Sequence, residues 1–133
     1  MVQLKNVIAV YRVQCSSLKG MTRSMDVVSL PDIDWDMIDI HVPAKLSIIN
    51  KVEDGNNVWQ TQLTFRTCES LDVREHYAYR ASLANGQHFL IGGYDRPYSV
   101  TTVSEIHPEN LTDSQLNEVT VTLSSRNRIP VIS

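Results

Sequence analysis

The sequence predicts an all-β fold, an antiparallel β-sandwich or barrel of about eight strands with at most one or two short helical turns. Three observations lead there. Apolar and polar residues alternate with a period of two from end to end, which is the spacing of side chains along a strand. No segment sustains the i, i+3, i+4, i+7 apolar stripe of an ordinary helix. Clusters that tolerate positive φ, Glu53-Asp54-Gly55-Asn56 and Asn85-Gly86, separate pairs of strand-like runs.

The first strand, Asn6 to Ser16, places Val7, Ala9, Tyr11, Val13 and Cys15 on one face, with Ile8 and Val10 making the other face apolar too. Such a strand is expected to be covered on both sides. A polar loop leads to a short strand, Met25 to Leu30, ended by Pro31, which has no N–H to give a ladder. From Asp32 to Val42 the alternation changes phase, from Ile33, Trp35 and Met37 to Ile38, Ile40 and Val42, so a bulge or bend is expected at Met37-Ile38. Ala44 to Val52 then pairs with Asn57 to Cys68, with Trp59, Thr61, Leu63, Phe65 and Thr67 on the core face and the alternate residues largely wet.

Glu69 to Val73 has room for one helical turn. Asn85-Gly86 next predicts a two-residue type I′ hairpin. That turn sets Leu83 opposite His88, Ala81 opposite Leu90, Tyr79 opposite Gly92 and Tyr77 opposite Tyr94, with Ser82–Phe89 and Arg80–Ile91 pairs on the other face. Tyr98 to His107 and Asn117 to Ser125 complete the strands; between them Thr112 and Gln115 have capping-box spacing for a short turn. Residues 1–125 thus form a single β domain, and residues 126–133 extend beyond the last strand, free to reach a neighbour.

Composition narrows the function. A chain of 133 residues with 42% hydrophobic and 20% charged residues suits one globular domain with its own core. The first residues lack a basic stretch followed by an apolar run, so a cytoplasmic product is expected. A net charge of −3 argues against a dedicated nucleic-acid binder. Cys15 and Cys68 stand far apart and outside any CxxC pair, so free, partly buried thiols are expected. Asn110-Leu111-Thr112 matches a glycosylation sequon, here read as turn chemistry.

Motif chemistry is sparse. Asp32, Asp34 and Asp36 open like a calcium loop, but Met37 stands where glycine is required and Pro43 where a bidentate glutamate is required. They read as a solvated strand face. Asp39 and His41 share a strand face and could supply two metal ligands if another strand contributed more, yet no His or Cys stands at paired spacing. Neither GxSxG nor a phosphate-binding glycine loop is present. No catalytic residue, metal or cofactor is assigned. Arg74, Arg80, Arg96, Arg126 and Arg128 with Tyr77, Tyr79, Tyr94 and Tyr98 could form an OB-like surface for single strands, but the acidic run Asp32 to Asp39 opposes it.

The stretch FLIGGYDRPYSVTTVSEI, followed by LNEVTVTL and RIPVI, resembles small all-β structural proteins of bacterial prophages and tailed phages. The resemblance implies a virion or tail-associated component working by ordered self-association, and it assigns no functional residue. The leading expectation is therefore a non-enzymatic structural or interaction module, homo-oligomeric or bound to other structural proteins, with no membrane partner. Its contacts would come from edge strands and from Arg126, Arg128, Ile129, Val131 and Ile132, so that removing the tail weakens assembly more than stability. The alternative is a small-molecule or glycan-binding barrel with a platform of Trp59, Tyr77, Tyr79 and Tyr94.

Overall fold

The computed structural model describes residues 2–24, 26–69, 71–72, 74–106 and 116–132. In chain order the elements are β1 (Val2–Gln14), a 3-10 turn (Cys15–Leu18), β2 (Thr22–Ser24), β3 (Val27–Ser29), β4 (Asp36–Ile38), β5 (Ile40–Glu53), β6 (Asn56–Thr67), β7 (Tyr77–Leu83), β8 (His88–Ile91), β9 (Val100–Ile106), β10 (Leu116–Ser125) and β11 (Val131–Ile132). The protein is all-β, as expected. Among the described residues there are eleven strands in one sheet, ordered β2-β3-β11-β8-β7-β1-β5-β6-β10-β9, with β4 paired to β1. The count exceeds eight in part because β2 and β11, three and two residues long, are too short for alternation to reveal.

The sheet is open, and it curls upon itself. The Tyr79 hydroxyl on β7 lies 2.7 Å from Thr101 Oγ1 on β9, and the Ser99 hydroxyl donates to the Tyr77 carbonyl at 2.7 Å, although β7 and β9 are not neighbours in the sheet. The inside of the curl is filled by Phe65, Tyr79 and Phe89 with Leu46, Ile48 and Leu63, all 2% exposed or less. Burial of each such side chain contributes about 1.5–3 kcal/mol before entropy is set against it. A second apolar cluster, Val13, Cys15, Leu18, Val28, Ala78 and Leu90, forms where the segment that follows β1 covers the opposite side of β7 and β8.

The β5–β6 hairpin follows the sequence reading. Asp54 and Gly55 both have positive φ, 50° and 79°, and Glu53 pairs with Asn56, so the loop is a two-residue turn that matches the strand twist. Thr61, Leu63, Phe65 and Thr67 are buried, whereas Gln62 and Arg66 are exposed. Met37 is 59% exposed and Ile38 2%, so the phase change falls where expected, and the run divides at Asp39 into β4 and β5. Asp32, Asp34 and Asp36 are exposed.

Three expectations are corrected. In the β7–β8 hairpin only Gly86 has positive φ; its N–H donates to the Leu83 carbonyl at 3.1 Å, and the Leu83 N–H to the Gln87 carbonyl at 2.9 Å. The loop is therefore Ala84-Asn85-Gly86, a turn followed by a glycine bulge, and the register moves by one residue: Ser82 faces His88, Ala81 Phe89, Arg80 Leu90 and Tyr79 Ile91. Both faces of this hairpin are buried, so alternation could not choose between the registers. Gly92 is close to Ala78 instead of Tyr79: a Cβ on it would lie 3.4 Å from the Ala78 Cα, and its φ of 101° disfavours any side chain.

The second correction concerns β1. Its pairing with β7 shifts between Val7 and Ala9, and Ile8, 57% exposed, is the extra residue. After this bulge Val10 and Arg12 take the inner face beside Ala81 and Tyr79, and Val13 and Cys15 belong to the second cluster. Arg12, 7% exposed, donates from Nη1 to the Asp72 carbonyl at 2.9 Å and stacks 4.1 Å from the Tyr77 ring centroid.

The third concerns residues 126–132, which do not extend from the domain. Ile129 is 3% exposed in the main core, and β11 lies between β3 and β8, pairing Val131 with Val27 in parallel and with Phe89 antiparallel. A helical turn does occur, but at Cys15–Leu18; the described part of 69–73 is not helical. The turn expected at Thr112–Gln115 and the 110–112 sequon lie outside the described residues. Among the described residues no helix is long and apolar enough to cross a membrane.

Candidate interaction surface

The residues singled out in the sequence do not form one site. Tyr79 is fully buried, with its hydroxyl used by Thr101, and Tyr77 is half-buried under the Arg12 guanidinium. Trp59 and Tyr94 remain accessible and border two adjoining open recesses that share Arg23 and Asn127. The recess at Trp59 is completed by Asp26 and Arg128, that at Tyr94 by the Gly92–Pro97 connection and Ile129. The four-aromatic platform is thus overturned by the burial of Tyr79, whose ring belongs to the main core. Its surviving members meet the terminal segment, where the Arg23 guanidinium donates to the Arg128 carbonyl.

The arginines and tyrosines proposed for base stacking are largely engaged with one another or with neighbours. Arg80 lies 4.0 Å from the Tyr11 ring centroid and 5.3 Å from that of Trp35, and Arg74 is ion-paired with Asp72 at 3.1 Å. Tyr98 stacks on His76 at 4.2 Å between centroids. Of the tail residues, Arg126 is exposed, Arg128 half-buried within 5.9 Å of the Phe89 ring centroid, and Val131 and Ile132 half-buried in the sheet.

Edge strands are the other candidate surface, and the two ends of the sheet differ. β2 is three residues long, a short edge that offers little to a partner. β9 is seven residues long, VTTVSEI, and among the described residues pairs only with β10, in unbroken register from Val100–Thr122 to Ile106–Leu116. Val100, Thr102 and Ser104 are exposed and Thr101 and Val103 half-buried, so inside and outside faces alternate along it. It contains no lysine, proline or bulge, devices that keep an edge from pairing; Glu105 is its one charged residue, and Val100 is 62% exposed.

The cysteines differ sharply. Both are free; Cys15 is buried, which pushes its thiol pKa up, whereas Cys68 is exposed. In the native protein one thiol is expected to react rapidly with an aromatic disulfide reagent and the second only on unfolding. Equal rates for both would contradict the burial of Cys15. Across the β5–β6 register Cys68 Sγ lies 3.5 Å from His41 Nε2, a pair that the sequence reading did not name. No protein family, curated protein or solved structure matches the chain.

Proposed function

We propose that the protein is a non-enzymatic structural module that self-associates through β9, in the manner of a virion or tail-associated component, in the cytoplasm or within an assembled particle. The observation that supports this most is the seven-residue edge of β9, which among the described residues is paired in the sheet on one side alone. Two copies related by a two-fold axis would place β9 antiparallel to its counterpart and continue the sheet across the interface. Backbone N–H and C=O groups would supply the affinity, and the outward row Val100, Thr102 and Ser104 the specificity.

Charges on that row should block pairing without touching the core. Val100→Lys with Thr102→Lys is expected to convert a discrete oligomer into monomer, read by light scattering after size exclusion over a wide concentration range, while the thermal midpoint of the monomer changes little. A strictly monomeric wild-type protein, or a variant that assembles equally well, would remove β9 from the mechanism. In the monomeric case the recess at Trp59, with Arg23, Asp26, Asn127 and Arg128 at its rim, becomes the favoured surface and a small polar ligand or glycan the favoured partner.

A further inference from the structure

Where the end of β1, the start of β7 and the β8–β9 connection meet, the surface dips into an open recess of about 370 Å³. That volume is within the ~300–1,000 Å³ common to small-molecule sites. Tyr94, Tyr98 and His76 give it aromatic walls, Glu75 and Asp95 bring two carboxylates, and the chain at 14–16 completes the lining. Among the described residues that line it there is no lysine or arginine. The arginines next to the two carboxylates in sequence are engaged elsewhere. Arg74 is ion-paired with Asp72 at 3.1 Å, and Arg96 borders the neighbouring recess, which shares Tyr94 and Asp95.

The rings are held by contacts within the chain, which spares a ligand the cost of ordering them. His76 stacks on Tyr98 with 4.2 Å between centroids and 19° between planes. The Cys15 N–H donates to the His76 carbonyl at 2.9 Å, and the Ser99 hydroxyl, beside Tyr98, donates to the Tyr77 carbonyl, beside His76, at 2.7 Å. Both partners of the stack are thus fastened through the backbone. On the other wall the Tyr94 N–H donates to Met21 Sδ at 3.5 Å.

We infer that this recess binds a small organic cation whose charge is carried by a quaternary ammonium group. Aromatic faces are apolar yet carry negative potential, so they favour a cation that is bulky, methylated and weakly hydrated. The Glu75 and Asp95 carboxylates add countercharge at the rim, where an anion would be repelled. A divalent metal ion needs several converging ligands, and among the described residues no group of three such side chains exists. Every group at the recess comes from one chain, so the assignment does not rest on pairing through β9.

The test is a titration of the full, nitrogen-15-labelled chain with choline chloride at constant ionic strength, beside 3,3-dimethylbutanol, the uncharged carbon analogue of choline. Amide shifts at 14–16, 75–76 and 94–98 should follow choline with a dissociation constant on the order of 0.1–1 mM, and the alcohol should bind at least about 10-fold more weakly. Tyr94→Ala, and Glu75→Gln combined with Asp95→Asn, all at exposed positions, should each weaken binding by about 5–30-fold and leave the rest of the spectrum in place. An acetylated, amidated trimethyllysine carries the same charged group: tighter binding of choline assigns the recess to a free solute, and tighter binding of the lysine derivative to a methylated side chain of another protein. No saturable shift with either cation, equal affinity for choline and the alcohol, or binding that survives both variants would overturn the cation site.

Discussion

Deleting residues 126–133 is expected to unfold the protein instead of freeing it from a partner. Ile129 is 3% exposed within the main cluster, so truncating that side chain alone, as Ile129→Ala, should cost about 2–5 kcal/mol. Whole domains have only about 5–15 kcal/mol in hand. The deletion also removes β11, the strand that joins β3 to β8, with the hydrogen bonds from the Leu90 N–H to the Pro130 carbonyl at 3.0 Å and from the Val131 N–H to the Asp26 carbonyl at 2.7 Å. The flanks of Phe89, Leu90 and Val28 would then meet water. Circular dichroism should show no cooperative melt for the deletion, and for Ile129→Ala a midpoint lowered by roughly 6–20 °C. A deletion variant that melts like the wild type would restore the tail as a free arm.

How far the sequence could carry the fold is best seen in its two hairpins. In β5–β6, Asp54-Gly55 sits between strands with one wetter and one dry face, so turn chemistry and alternation agree on the hairpin and on its core face. In β7–β8, Asn85-Gly86 favours a two-residue turn, but a three-residue loop with Gly86 as the bulge is also open to those residues. Alternation could have decided between them only if one face were polar. Ala78, Tyr79, Ala81, Ser82, Leu83, Phe89, Leu90 and Ile91 are all buried, so it could not. The same blindness applies to Ile8: a bulge within an apolar run leaves no polar residue out of place to mark it.

The short terminal strand was hidden for a different reason. Two residues, Val131 and Ile132, carry no periodicity, and their role depends on β3 and β8, which are distant in sequence. The Cys68–His41 contact belongs to the same class. Asp39 and His41 were legible as a pair on one face, but the third residue comes from the far end of a hairpin; the register of Lys45 with Thr64, carried on unbroken, would set His41 opposite Cys68, and the shift between His41 and Lys45 pairs it with Arg66 and leaves Cys68 diagonal to the imidazole.

Tyr79→Ala separates the core assignment from the ligand-platform reading most cleanly. A platform aromatic at the surface could be removed within about 0.5 kcal/mol of wild-type stability. Tyr79 is 0% exposed, beside Ile91 on β8 and opposite Arg12 on β1, and its hydroxyl closes the curl of the sheet onto Thr101. Its loss should cost about 3–5 kcal/mol from the cavity, and the freed Thr101 hydroxyl, half-buried, adds a smaller penalty because water can reach it. Tyr79→Phe keeps the ring and isolates the hydrogen bond, so about 0.5–1.5 kcal/mol is expected. Urea midpoints compared at equal m-value give both numbers. The ordering matters more than either magnitude: a large loss with alanine and a small one with phenylalanine follows from a packed ring that fastens β7 to β9 across the core. Near-neutral alanine would place the ring outside the core and overturn the bond that fastens β7 to β9.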